Sequence, residues 1–190
     1  MKDYPVNLKI DYPESSNRLT ALFRLILVIP IVIILALIST YAEALSFAIA
    51  MMILFKEKYP RWWFDWNIGI TKFAYRVVVY IFLMRDEYPA TDQDQSVHIT
   101  VPYPDVKNEL KRWMPLVKWF LVLPHIIALI FIFIGVVICT VFSLIVILFT
   151  GRYPKGIFNF VEGFFRWTLR VSAFALLLTT DEYPPFRLKE

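Results

Sequence analysis

The chain has 190 residues and a formal charge of +4, and it is 58% hydrophobic, 17% aromatic and only 19% charged. A soluble domain averages roughly 45–50% apolar, so this excess calls for an apolar solvent as well as a core. With 5 Gly, 1 Cys and 2 His, there is little material for a phosphate-binding glycine loop and none for an intrachain disulfide or a conventional Cys/His zinc site.

The opening Met1-Lys2-Asp3-Tyr4-Pro5 is polar and leads to no small-residue cleavage pattern, so a cleaved signal is not expected. Val6, Leu8 and Ile10 then alternate with polar residues, the period of a short strand, which Tyr12-Pro13 ends. A long apolar region follows, from about 19 to 55, interrupted near Ser39-Thr40. One crossing needs about 20 residues, so this region predicts two tightly joined helices, a membrane hairpin. After Tyr59-Pro60, a helix over about 62–84 carries polar positions 65, 69, 72 and 76 along one stripe. Asp86-Glu87-Tyr88-Pro89 closes the unit.

The same landmarks then return in the same order. Val97, Ile99 and Val101 alternate, and Tyr103-Pro104 follows. A second apolar hairpin is predicted over about 114–149, with Leu123-Pro124 answering Ile29-Pro30 and Gly135 near its middle. After Tyr153-Pro154, a helix over about 157–178 places Asn159, Gly163, Arg166 and Arg170 where the first has Asp65, Gly69, Lys72 and Arg76. Asp181-Glu182-Tyr183-Pro184 ends it. The chain therefore reads as two tandem repeats, residues 1–91 and 92–190.

Cations set the expected topology. No Lys or Arg falls between Leu25 and Phe55 or between Trp119 and Gly151. In the hairpin reading both turns are free of cations, and all the cation-bearing ends share one face, cytoplasmic by the positive-inside rule. The fold class is then all-α integral membrane. Each repeat contributes a transmembrane hairpin, an amphipathic interfacial helix and a short cytoplasmic strand-like segment, and both termini are cytoplasmic.

The strings Thr150-Gly151-Arg152-Tyr153-Pro154-Lys155-Gly156, Arg166-Trp167 with Arg170, and Asp181-Glu182-Tyr183-Pro184-Pro185-Phe186 resemble a bacterial and archaeal membrane family, domain of unknown function 4389. The first repeat is a degenerate copy, with Lys56-Glu57-Lys58-Tyr59-Pro60 and Ala90 at the matching places. The resemblance implies a multi-pass protein of a prokaryotic inner membrane and transfers no activity.

Three groups of residues bear on function. Lys72/Arg76 and Arg166/Arg170, four apart on a helix, could clasp lipid phosphate; snorkelling or ion pairing is the plainer role. His125, inside the second apolar region, could ligate haem or a chlorophyll-type magnesium, or make a helix–helix hydrogen bond. Asp86-Glu87 and Asp181-Glu182 read as solvated, helix-ending acids. No nucleophile elbow, Walker sequence or H-E-x-x-H is present. The expected function is a non-catalytic scaffold or accessory subunit of a larger membrane complex, without cofactor, metal or nucleic acid. The alternatives are binding or redistribution of anionic lipids, and a small transporter or channel.

Overall fold

The structure is a computed structural model describing residues 4–91 and 93–189, with backbone alone for residues 41–44; Met1–Asp3 lie outside it. Strand β1 (Asn7–Ile10) leads into helices α1 (Arg18–Leu27), α2 (Ile29–Lys56) and α3 (Arg61–Ile81). Strand β2 (Val97–Thr100) leads into a single turn, α4 (Val106–Glu109), then α5 (Met114–Leu121), α6 (Leu123–Thr150) and α7 (Lys155–Ala175). The repeat is kept to the residue, since α2 and α6 begin and end at matching positions, as do α3 and α7.

The breaks do not fall at the expected places of the hairpin turns. Each long apolar region instead breaks near its beginning, at Val28 and Val122, two residues before Pro30 and Pro124, and then runs as one 28-residue helix. Proline has no N–H to give and crowds the preceding turn, so the break belongs there. The positions read as turns hold helix instead. Thr40 returns its hydroxyl to Ala36 O at 3.0 Å and Thr140 to Val136 O at 2.8 Å, so their polar groups are satisfied on the helix itself. Gly135 lies opposite the ring of Phe160 on α7, 3.7 Å from where a Cβ would stand, and serves close packing. At 1.5 Å per residue each helix is about 42 Å long. α2 and the run from α5 through α6 are long and apolar enough to cross a membrane, with only 7% and 17% of their most apolar windows buried.

The expected strands form, and they pair with each other. β1 and β2 are antiparallel, with Leu8 opposite Ile99. These two residues occupy equivalent places in the two repeats, so the ladder is centred on a pseudo-two-fold axis, and the chain is an isologous dimer written in one polypeptide. Leu8, Ile10, Val97 and Ile99 turn inward, while Asn7, Lys9, His98 and Thr100 face out. On that outer face Asp11 meets His98 at 3.0 Å, a bond that holds its carboxyl below the ordinary aspartate range.

Around this axis the repeats exchange parts. α7 of the second repeat covers β1 of the first, and α3 of the first covers β2 of the second. Tyr12 donates its hydroxyl to Tyr153 O at 2.5 Å, and Tyr103 donates to Tyr59 O at the same distance. Tyr12 meets Phe158 edge-on at 5.0 Å, and Tyr103 meets Phe64 at 5.1 Å. Burial pushes the Tyr59 phenol, in the same cluster, up to about 12. Each repeat's first Tyr-Pro is thus a strap over the other's second.

α7 does not present an open polar face. Thirteen of its 21 residues are buried, among them Phe158, Phe165, Trp167, Leu169 and Phe174, so it is the central element of the main core. α3 is less buried, with eight of its 21 residues buried and its exposed positions confined to the first half. The reason is a second covering layer. Residues after Asp181 fold back over α7, and a Cβ at Gly163 would meet Leu188 O at 2.8 Å. Gly163→Ala is expected to cost about 1–3 kcal/mol by overpacking and to speed tryptic cleavage after Arg187. The matched Gly69→Ala faces open space and is expected to stabilise α3 by up to about 1 kcal/mol.

Candidate functional site

Two buried cations sit at matching places, one in each short helix ahead of the kink. Arg24 on α1 is 2% exposed and Lys118 on α5 is 1% exposed. Charges this deep need partners. Lys118 Nζ meets Asp181 Oδ1 at 2.7 Å and donates to Thr180 O at 2.8 Å, with the ring of Phe174 5.2 Å away. Arg24 pairs with Asp86, donates to Tyr80 O at 3.0 Å and to Arg85 O, and stacks 4.2 Å from the Tyr80 ring centroid. The second oxygen of each aspartate is used alike: Asn17 N donates to Asp86 and Lys111 N to Asp181, both at 2.6 Å. The Asp of each Asp-Glu-Tyr-Pro string is therefore a clasp between the end of the amphipathic helix and the chain entering the apolar region. Asp181 is only 12% exposed, which corrects the reading of it as a solvated acid.

The four cations proposed for lipid phosphate separate. Arg166 and Arg170 are buried on α7. Arg166 Nε donates to Leu8 O at 2.9 Å and Nη1 to Leu188 O at 3.3 Å, and its guanidinium meets Glu162 at 3.2 Å. Glu162 in turn accepts from Ile10 N at 2.8 Å. The pair thus satisfies the free edge of β1, as a neighbouring strand would. Arg170 Nη1 donates to Lys189 O at 3.2 Å, and Arg76, 9% exposed, donates to Ala90 O at 2.7 Å. Lys72 alone stays half-exposed. Headgroup contact by Arg76, Arg166 and Arg170 is corrected on this ground: their guanidiniums hold backbone carbonyls inside the fold. Helical spacing put the four on one stripe but could not say that α7 has its polar stripe covered.

His125 is fully buried in an aromatic box. Phe186 stacks on it at 3.9 Å, and Tyr183 and Trp167 close it at 4.8 and 5.8 Å. The Trp167 indole donates to Nδ1 at 3.1 Å. An indole N–H can only donate, so Nδ1 must accept, and the ring's hydrogen lies on Nε2. A neutral imidazole in that tautomer has no free lone pair for iron or magnesium. The haem or pigment role of His125 is set aside on that ground; the residue joins α6 to α7 and seats Phe186. Nearby, Tyr183 donates to Leu121 O at 3.1 Å, satisfying a carbonyl beside the kink that Pro124 imposes.

A family model described as "Domain of unknown function (DUF4389)" matches residues 18–91 and again 112–187. No curated protein and no solved structure matches the chain.

Proposed function

The chain belongs to the DUF4389 family, and from its own geometry we propose that it is a non-catalytic membrane scaffold, an accessory subunit that packs against other membrane proteins. One observation carries this reading. The buried ionisable side chains are consumed in holding backbone, while the lateral faces of α2 and α6 expose Ile33, Leu37, Phe131, Ile138, Val141 and Phe142. Apolar area on that scale needs lipid or protein against it. The transporter reading loses support for the same reason, since a transport path places accessible ionisable groups at mid-bilayer.

In this reading both apolar stretches enter and leave the bilayer on the ladder's side, and that side is cytoplasmic. Support comes from contacts that gather their ends around the ladder. Ser16 N bonds Gly151 O at 2.8 Å, Arg18 reaches Phe149 O at 3.1 Å, and Arg112 reaches Leu54 O. The polar outer face of β1 and β2 belongs in water, and the flanking cations share that level. α1, about 15 Å long, carries the chain in, and α2 brings it back obliquely.

Single cysteines at Asn7, Lys58 and Arg152, in a Cys139→Ser background, are expected to react with an impermeant maleimide from one side of sealed vesicles. Labelling of Lys58→Cys or Arg152→Cys from the side opposite Asn7→Cys would overturn the topology. For the scaffold itself, mass spectrometry of the particle extracted in mild detergent from its own membrane is expected to show fixed protein partners. A lone chain under those conditions would refute it.

A further inference from the structure

The two repeats provide an internal comparison at the ends of their long helices. Where α2 ends and α3 begins, two of the cations face acids: Arg112 lies 3.7 Å from Glu57, and Arg61 bonds Asp65 at 3.1 Å. At the matching end, between α6 and α7, those acids are gone. Gly151 stands in place of Glu57 and Asn159 in place of Asp65, while Arg18, Arg152 and Lys155 keep the positive charges. All three side chains are exposed, and among the described residues none has a carboxylate within ion-pairing distance. Glu14, the nearest acid in the sequence of that strap, pairs with none of them.

The fold positions Arg18 and Lys155, and Arg152 follows Gly151 directly in the chain. Arg18 lies over Gly151, whose Cβ position is 3.6 Å from Nε, and Lys155 stands 5.8 Å from the ring of Tyr12, which is itself strapped to Tyr153. The glycine at 151 also suits its left-handed backbone, φ 69°, where Glu57 is strained at φ 50°. α7 begins here with no side-chain cap and no acid in its first turn, so its leading N–H groups add partial positive charge. In the first repeat the corresponding turn carries Trp62; here Gly156 leaves it bare, with nothing within 4 Å of its Cβ position. Phe149, 79% exposed, stands beside the cluster at the end of α6.

We propose that Arg18, Arg152, Lys155 and the open first turn of α7 form a binding site for the phosphate headgroup of an anionic phospholipid, specific to the second repeat. Uncompensated cations at a helix N-terminus take a phosphate, and the apolar end of α6 beside them takes the acyl region. The proposal rests on the placement of α6 in the bilayer, which the cysteine labelling above tests separately.

The experiment is native mass spectrometry of the full chain in mild detergent, titrated with phosphatidylglycerol or phosphatidylcholine. The wild-type chain is expected to hold one phosphatidylglycerol in preference to phosphatidylcholine. Arg18→Gln/Arg152→Gln/Lys155→Gln is expected to weaken that binding by roughly tenfold or more. Because Arg18 also holds a carbonyl, a second variant, Gly156→Trp/Asn159→Asp, copies the Trp62 and Asp65 of the first repeat and is expected to weaken it several-fold. Lys58→Gln/Arg61→Gln/Arg112→Gln, at the neutralised end, is expected to leave it unchanged. Equal loss from both ends would reduce the effect to general surface charge and overturn the site, as would wild-type binding by Gly156→Trp/Asn159→Asp. Displacement of the lipid by millimolar inorganic phosphate would make the ligand a soluble phosphate instead and overturn the lipid assignment.

Discussion

Asp181→Ala is expected to destabilise the protein by about 3–5 kcal/mol, the usual cost of leaving one member of a buried ion pair behind. Lys118, 1% exposed, would keep only Thr180 O and the Phe174 ring, and Lys111 N would lose its acceptor. The loss should read as a fall in the midpoint of thermal unfolding in detergent. Asp86→Ala is expected to cost less, because Asp86 is 28% exposed and Arg24 keeps two backbone carbonyls. Lys118→Met/Asp181→Ala is expected to recover much of the loss, since an apolar side chain of similar length leaves no bare charge. If the double variant is as unstable as Asp181→Ala alone, the clasp acts through the Lys111 amide and not through the ion pair.

Arg166→Met is expected to have an effect of similar size, about 3–5 kcal/mol. It strips Leu8 O and Leu188 O of a donor and leaves Glu162, 14% exposed, without its cation. Hydrogen exchange should show β1 and the C-terminal residues opening together. Lys72→Met, at the matching position of α3, is expected to change stability by less than about 0.5 kcal/mol, as exposed substitutions usually do. Equal effects at the two positions would mean that Arg166 does not hold the edge of β1.

Much of this architecture is legible in the residues. The duplication, the short strands, the Tyr-Pro breaks and the starts of α3 and α7 follow from period and from proline chemistry, while both helices end three residues before the expected 84 and 178. The expected places of the hairpin turns do not survive. Length argued for a turn, but Gly135 and the Ser39-Thr40 stretch can continue a helix, whereas Pro30 and Pro124 must disturb one. Chain chemistry at the break was the better guide than the span a bilayer requires. The clasps could have been found by asking what the repeat keeps: a cation at 24 and 118, an aromatic ring at 80 and 174, an aspartate at 86 and 181. The exchange between repeats could not, because in any pattern of hydrophobicity Tyr12 meets Tyr59 as well as Tyr153, and Tyr103 meets Tyr153 as well as Tyr59. The burial of Arg166 and Arg170 was hidden likewise, since the chain that covers them is the polar-looking end of the sequence.

The reciprocal straps also set the order in which the protein can be made. Synthesis runs from the first repeat to the second, and the first leaves the ribosome with its strand unpaired, Tyr12 without Tyr153, and the carbonyl of Tyr59 waiting for Tyr103. The edge of β1 waits longer still, for Glu162 and Arg166 some 150 residues later. Contacts so distant in sequence close late and slowly. On the membrane placement proposed above, the first repeat must therefore persist half-made, its apolar helix already inserted, until the second arrives to complete it.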